Sequence, residues 1–151
     1  MPAHVTALYP FRPLQSLDEA VMLGLKQLIA GLPALDVSFG AIGRFPGVRW
    51  LAPEPREPID RLTQALVAAF PDCLPYRGEF SDPVPHLTFA VGDEALLSQV
   101  ENEVAAGLSA PIQARIEDCC LFQFTEGRWR EAARFAFGRA PERAPAQNSI
   151  G

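Results

Sequence analysis

The sequence predicts an α+β fold made of two copies of a strand-helix-strand-strand unit, and three observations support this prediction. The tripeptide His-x-Thr occurs twice, at His4 and at His86. Each copy is followed by a segment with helical periodicity and then by segments in which apolar and polar residues alternate. The ends of the two hairpins also resemble each other, with GVRW from Gly47 and GRWR from Gly127. A duplicated unit of this kind predicts a bilobal domain in which the two His-x-Thr strands face each other.

The elements of the first unit follow from capping residues, prolines and the period of the apolar positions. Ser16, with Glu19 three residues later, has the spacing of a capping box, which predicts the start of a helix. The next segment alternates apolar and polar residues, as a half-buried strand does, before a turn at Pro46. The elements predicted for this unit are a strand at His4, a helix over 16–31, strands over 35–40 and 48–52, and a helix between Pro58 and Pro71.

The second unit repeats this order after a loop rich in turn formers. An apolar stripe after Asp93 predicts a helix, and alternation resumes near residue 112 with a shift of face near Asp118, as a bulge produces. The elements predicted for this unit are a strand at His86, a helix ending near Gly107, and strands over 112–116 and 129–137. We place lobe one at about residues 1–71 and lobe two at about residues 72–139, and we expect residues 140–151 to be disordered.

Length, charge and cysteine content limit the classes of function. A chain of 151 residues can bury one core, and its net charge of −5 disfavours long duplex nucleic acid as a partner. No apolar run is long enough to cross a bilayer and no secretory signal is present, so we predict a cytoplasmic protein without membrane contact. Cys73, Cys119 and Cys120 lack CxxC spacing, which indicates reduced thiols rather than a metal site. We expect no metal and no cofactor.

The two His-x-Thr motifs combine residue types that suit phosphoryl chemistry. On a strand, residues two apart share a face, so His4 and Thr6 project together, as do His86 and Thr88. Histidine gives or takes a proton near neutrality, and two imidazoles on opposite sides of a phosphorus atom allow one to activate the nucleophile while the other protonates the leaving oxygen. The threonine hydroxyls would bind the non-bridging phosphate oxygens. Two facing motifs therefore predict a phosphoesterase site that needs no metal.

A structural role is the alternative for each motif taken alone. A histidine on a half-buried strand is often a packing residue, and threonine is a good strand former. The chain, however, has only two histidines and four threonines, and a threonine lies two residues after each histidine. This pairing favours a functional site over two structural residues.

The two motifs, with their flanking residues, resemble those of the 2H phosphoesterases, a superfamily that includes 2′-5′ RNA ligase-like proteins and cyclic phosphodiesterases. The resemblance rests on HVTALYPF from His4 and on PHLTFAV around His86. It extends to GRFPGVRWLAPEP from Gly43 and PYRGEF from Pro75, which are similar to the bacterial branch. In all it covers about residues 2–138.

The resemblance implies a bilobal α+β fold with antiparallel sheets around a central cleft. It implies hydrolysis or reversible ligation of 2′,3′-cyclic or 2′-5′ phosphodiesters, in RNA ends or small nucleotides, without a metal. By motif, His4 and His86 become the acid/base pair, and Thr6 and Thr88 become the phosphate ligands. In this family a strand usually precedes the first motif, whereas three residues precede His4 here. We therefore expect either a longer natural product or a first lobe without its edge strand.

Two aromatic residues are candidates for stacking on a nucleobase. Trp50 lies on a strand near the predicted cleft, and Tyr76 lies in the loop before the second motif. Core packing of Trp50 and anchoring of the loop by Tyr76 are the alternatives. Tyr9 is an odd number of residues from His4 and is predicted to lie in the core.

The last predicted strand has an aromatic face and a basic face. The aromatic face contains Trp129, Phe135 and Phe137, and the basic face contains Arg128, Arg130 and Arg134. A solvated outer face explains these arginines better than an RNA-binding groove does.

Two other functions compete with a phosphoesterase. A binding module of the same fold would capture nucleotides or RNA ends without turnover, and the short N-terminus suggests it. A metal-dependent hydrolase would use histidine and cysteine ligands, although the cysteine spacing does not favour it.

Overall fold

The computed structural model describes residues 2–138 of the chain. These residues form an α+β fold, as predicted, with three α-helices and six β-strands. The helices are α1 (Glu19–Ala30), α2 (Glu57–Ala69) and α3 (Glu94–Gly107). The strands are β1 (Leu35–Phe45), β2 (Val48–Glu54), β3 (Leu87–Val91), β4 (Ile112–Ile116), β5 (Asp118–Thr125) and β6 (Arg128–Ala136). Among these residues the strand predicted at His4 is absent, and β5 was not predicted as a separate strand. The predicted disordered tail, residues 140–151, lies outside the described residues.

The strands form two antiparallel sheets that draw on both halves of the chain. One sheet has four strands in the order β3-β2-β1-β4, and the other is the β5-β6 hairpin. β1 is long enough to pair with β4 over its first residues and with β2 over its later ones. Two strands of the second unit therefore flank two strands of the first. The second unit thus contributes strands to both sheets and the first unit to one, and the lobe boundary near residue 71 stays a prediction.

Two element boundaries differ from the prediction for local reasons. Helix α1 begins at Glu19 because the Asp18 carboxylate, not the Ser16 hydroxyl, caps it and accepts a hydrogen bond from the Val21 N–H at 2.9 Å. Strand β2 extends past its predicted end at residue 52, through Pro53 to Glu54. β3 pairs with β2 only as far as Leu51, so Pro53 lies at a sheet edge, where proline is tolerated.

The first His-x-Thr segment is not a strand, and this prediction is wrong. Among residues 2–13, none pairs with either sheet. The side chain of Thr63 on α2 donates a hydrogen bond to the carbonyl of Ala7 at 2.8 Å, and the Tyr76 N–H donates to the carbonyl of Tyr9. Because α2 and the loop at Tyr76 satisfy these two carbonyl groups, the segment is held in place without pairing to a β-strand.

The bulge predicted near Asp118 is wrong, because the chain there leaves β4 of the four-stranded sheet and enters β5 of the hairpin, whose bulge lies in β6. Between Leu121 and Phe122 on β5, the paired residues on β6 step from Ala133 to Glu131, which leaves Ala132 as the extra residue. One extra residue reverses the faces that follow. Trp129 therefore shares a face with Arg134, and the predicted division into one aromatic and one basic face is wrong.

The main core lies between helices α1 and α2 and the strands β1 and β6. Its buried side chains include Val21, Leu25, Ile29, Leu35, Val37, Phe39, Ile59, Leu62, Leu66, Phe70, Phe135 and Phe137. Val5, Leu8 and Phe11 of the first motif segment pack against this core. Tyr9 does not belong to it, being about half exposed, so its predicted core position is wrong. Among residues 2–138, no helix combines the length and apolar character needed to span a bilayer.

Candidate active site

The second His-x-Thr motif lies at the edge of the four-stranded sheet. Thr88 on β3 is directly opposite Trp50 on β2, and Trp50 is directly opposite Gly43 on β1. Directly opposite residues of antiparallel strands present their side chains to the same face. His86, two residues before Thr88, immediately precedes this strand and is half-buried. The two motif residues thus border one face of the sheet, and Thr88 is exposed there.

Two aromatic rings hold the imidazole of His86. Its centroid lies 5.2 Å from that of Phe45, with the two planes at 87°, and 5.8 Å from that of Trp50. Phe45 and Trp50 in turn contact each other at 5.0 Å. Edge-to-face contacts of this kind are favourable and orient a ring as well as bury it. Trp50 therefore packs beside the second motif, and its stacking on a nucleobase stays a prediction.

Gly43 makes this arrangement possible. A Cβ atom at Gly43 would lie 2.2 Å from Cζ2 and 2.3 Å from Cε2 of the Trp50 indole, far inside ordinary contact distance. The absence of a side chain on β1 leaves the space that the indole fills. A glycine inside a strand often marks such a close approach, which is the sequence signal that could have singled out Gly43.

The first motif is anchored on its C-terminal side and open on its N-terminal side. The guanidinium of Arg12 donates two hydrogen bonds to the Asp72 carboxylate, at 2.9 and 2.6 Å, and holds the pKa of that carboxyl below its ordinary value. Phe11 packs edge-to-face on Phe70 at 5.1 Å. His4 and Thr6, by contrast, are exposed. The segment is thus fixed near α2 while its motif residues remain accessible.

Both histidines have the same local hydrogen-bond arrangement. Nδ1 of His4 lies 2.9 Å from the carbonyl oxygen of Pro2, and Nδ1 of His86 lies 2.7 Å from that of Val84. Each ring therefore meets the carbonyl two residues before it. A carbonyl can only accept, so Nδ1 carries the proton and donates, which leaves Nε2 as the free nitrogen in the neutral ring. The backbone sets the same tautomer at both motifs, although only one of them is on a strand.

Two cavities adjoin the first motif. The larger, of about 880 Å³, lies between the first motif segment and the β5-β6 hairpin, and His4 and Thr6 line it. The smaller, of about 470 Å³, is lined by Thr6, by Tyr76 and by Pro85, the residue before His86. The structure therefore brings Thr6 of the first motif and the segment leading into the second motif to one cavity. Neither cavity is lined by His86 or Thr88, and the meeting of all four motif residues in one cleft stays a prediction.

A charged cluster supports the sheet near the second motif. The buried side chain of Arg49 on β2 donates to Glu101 on α3 at 2.6 Å and also pairs with Glu94. Arg44 on β1 forms a further pair with Glu101. The hydrogen bond from Arg44, with that from Arg49, lowers the pKa of Glu101 to about 2. These contacts fix α3 to the sheet, and no sequence pattern had indicated them.

The remaining candidates divide between the two motifs. Tyr76, in a turn where its φ is +49°, lies beside the first motif, since its ring is 6.4 Å from that of Tyr9. Trp50 lies beside the second motif.

Phe45 was not predicted as a site residue from the sequence, because the predicted strand ended at residue 40, whereas β1 continues to Phe45 and presents it on the face of Gly43. The three cysteines, all within the described residues, are free, as predicted.

The sequence of the chain matches the family model of the 2′-5′ RNA ligase superfamily over residues 1–128. The chain belongs to this superfamily. Membership confirms the resemblance drawn from the two motifs, and it supports a phosphoesterase- or ligase-type activity of the 2H class. No curated protein matches the chain.

A solved structure agrees with this assignment of the fold. The chain is similar to LigT of E. coli, crystallised in complex with 3′-AMP, with a TM-score of 0.61 and 18% sequence identity. The match covers 89% of this chain and 76% of LigT. The 2H phosphoesterase-like fold predicted for this member of the 2′-5′ RNA ligase superfamily is thus confirmed.

Proposed function

We propose that this protein hydrolyses, or reversibly ligates, 2′,3′-cyclic or 2′-5′ phosphodiesters of RNA ends or small nucleotides without a metal ion. One observation carries the proposal: Nδ1 of both His4 and His86 faces a backbone carbonyl, which leaves Nε2 of each ring free for proton transfer. Superfamily membership supports the class of reaction. The 3′-AMP bound to LigT supports a nucleotide as the ligand. Free cysteines support a cytoplasmic location.

In the proposed mechanism, Nε2 of one histidine takes the proton of the attacking water, and Nε2 of the other gives a proton to the ribose oxygen that leaves. Opening a 2′,3′-cyclic phosphate in this way consumes one water and yields a 2′- or 3′-phosphate. The hydroxyls of Thr6 and Thr88, both exposed, donate to the non-bridging oxygens and stabilise the charge that develops there. The carbonyls of Pro2 and Val84 stabilise each imidazole when it becomes protonated.

The test is turnover of 2′,3′-cyclic nucleotides in EDTA by the wild type and by His4→Ala and His86→Ala. Loss of either proton-transfer group is expected to lower kcat by about 10²- to 10⁴-fold. Lys26→Ala, at an exposed position of α1, is the control and should retain full turnover. Thermal unfolding of all four proteins verifies that the fold survives. Equal turnover by the histidine variants, or activity that EDTA abolishes, would refute the proposal.

A binding module without turnover is the second candidate, because the first motif lies outside both sheets. A histidine on an unpaired segment is less rigidly held than one that immediately precedes a strand, and acid/base catalysis requires a fixed ring. Calorimetric titration with 3′-AMP tests it. Nucleotide binding together with the absence of any product from cyclic substrates would support the module and exclude the enzyme.

A further inference from the structure

Five aromatic side chains form a continuous row beside the first motif. They are, in spatial order, Phe80, Tyr76, Tyr9, Trp129 and Phe124, and we call them the aromatic row. Successive ring centroids lie 5.5, 6.4, 6.3 and 5.4 Å apart. The row joins three parts of the chain that are distant in sequence, namely the first motif segment, the loop before the second motif and the β5-β6 hairpin.

The aromatic row is exposed to an unusual degree. The exposed fractions are 54% for Phe80, 49% for Tyr9, 39% for Trp129 and 61% for Phe124. Tyr76, which joins Phe80 to Tyr9, is half-buried, and the other four rings are exposed. Single exposed apolar residues are common, but several exposed rings in one group indicate a binding surface. Adjacent planes are inclined by 58° to 82°, so the rings do not stack on one another. In each edge-to-face contact one face of one ring is covered by the edge of its neighbour, and its opposite face is left available for another planar group.

The row is continuous with the candidate active site. Tyr9 belongs to the same segment as His4 and Thr6 and lines both cavities that adjoin the first motif. Tyr76 lines the smaller cavity with Thr6. Trp129 and Phe124 line the larger cavity with His4. A ligand that reacts at the first motif would extend from there onto the rings.

Two exposed arginines are adjacent in sequence to rings of the row. Arg77 follows Tyr76 in sequence, and Arg128 precedes Trp129. Neither forms an ion pair with any carboxylate among residues 2–138, whereas the neighbouring Arg130 pairs with Glu126. Both arginines are exposed. Exposed rings with cationic groups in the same segments are the combination that binds single-stranded nucleic acid, since every base has a face to stack and every nucleotide has a phosphate.

We propose that the aromatic row binds the unpaired nucleotides that precede the reacting end of a single-stranded RNA. This inference rests on the proposed function and adds a substrate class to it: an oligonucleotide several residues long is favoured over a mononucleotide. The net charge of −5 makes a duplex a poor ligand, because the long-range attraction that a duplex requires is missing. In a single strand the bases are unpaired, so each can stack on an aromatic ring, and this stacking supplies most of the binding affinity.

The test is fluorescence anisotropy of a dye-labelled hexanucleotide RNA with no internal pairing, titrated with the His4→Ala/His86→Ala double variant so that no turnover interferes. In that background, Phe80→Ala and Phe124→Ala should each weaken binding about tenfold, the loss typical for one stacked base. Phe124→Leu keeps an apolar side chain without a ring and should weaken binding nearly as much as Phe124→Ala. Leu23→Ala, at an exposed apolar position of α1, is the matched control and should bind as the parent does.

Each other outcome has a defined meaning. The proposal is overturned if Phe80→Ala and Phe124→Ala bind the hexanucleotide as tightly as the parent does. It is also overturned if the parent does not bind the hexanucleotide. Self-association of the wild type in sedimentation, lost in Phe80→Ala and Phe124→Ala, would assign the row to a second copy of the chain and also overturn it. Wild-type turnover of a cyclic mononucleotide is measured separately. Hexanucleotide binding without that turnover contradicts the proposed function alone, and turnover without binding contradicts the aromatic row alone.

Discussion

Gly43→Ala should displace the indole of Trp50 and thereby disturb the second motif. The new Cβ would lie 2.2 to 2.3 Å from three atoms of the ring, so the ring must move by about 1.2 Å to restore an ordinary carbon contact. The rings of Phe45 and His86 both pack against the indole and against each other, which restricts how it can move. Overpacking of a confined site typically costs about 1 to 3 kcal/mol, which for a chain of this size lowers Tm by roughly 3 to 10 °C.

Thermal unfolding followed by circular dichroism measures this shift, and Gly107→Ala is the matched control. Gly107 ends helix α3 and a Cβ there would meet nothing within 4 Å, so the same substitution should leave Tm unchanged or raise it slightly. Combining Gly43→Ala with Trp50→Leu should recover part of the loss, because a smaller side chain leaves room for the methyl group. A wild-type Tm for Gly43→Ala would refute the close packing of Gly43 and Trp50. A double variant whose loss of Tm equals the sum of the two single losses would refute it as well.

Two further predictions concern titratable groups. Because hydrogen bonds from Arg44 and Arg49 lower the pKa of Glu101 to about 2, its carboxylate stabilises the fold above its unfolded pKa near 4.5 and loses that contribution as the pH falls towards 2. Urea midpoints of the wild type and of Glu101→Gln should therefore differ most above pH 5 and converge in acid, and a gap that does not change with pH would contradict this role. Burial raises the pKa of Cys119 and of Cys120 to about 11, so both thiols should react with iodoacetamide at pH 7.5 about 100-fold more slowly in the native protein than in urea. Mass spectrometry of the alkylated peptides measures those rates, and equal rates in the two states would show that the thiols are not shielded.

Local patterns in the sequence were sufficient for the helices, most strands and the identity of the motif residues. Helix α2 was predicted because Pro58 suits a first turn and apolar residues follow at helical spacing, and the helix begins at Glu57 as that pattern requires. The paired His-x-Thr motifs also stood out, since a composition with two histidines leaves little room for coincidence. Signals of this kind depend on residues a few positions apart, so they are already present before the chain folds.

Strand pairing and surface assembly were decided only in three dimensions. Whether a segment joins a ladder depends on which distant backbone groups compete for its hydrogen bonds, and for the first motif segment Thr63 and Tyr76 supply those bonds. One extra residue in β6 reverses the faces of Trp129 and Arg134, a change that alternation in a single strand does not reveal. The aromatic row likewise depends on contacts between segments remote in sequence. The sequence by itself predicted which side chains carry the chemistry, and the tertiary structure decided which of them lie together, because contacts between rings and between strands form across residues that are far apart in the chain.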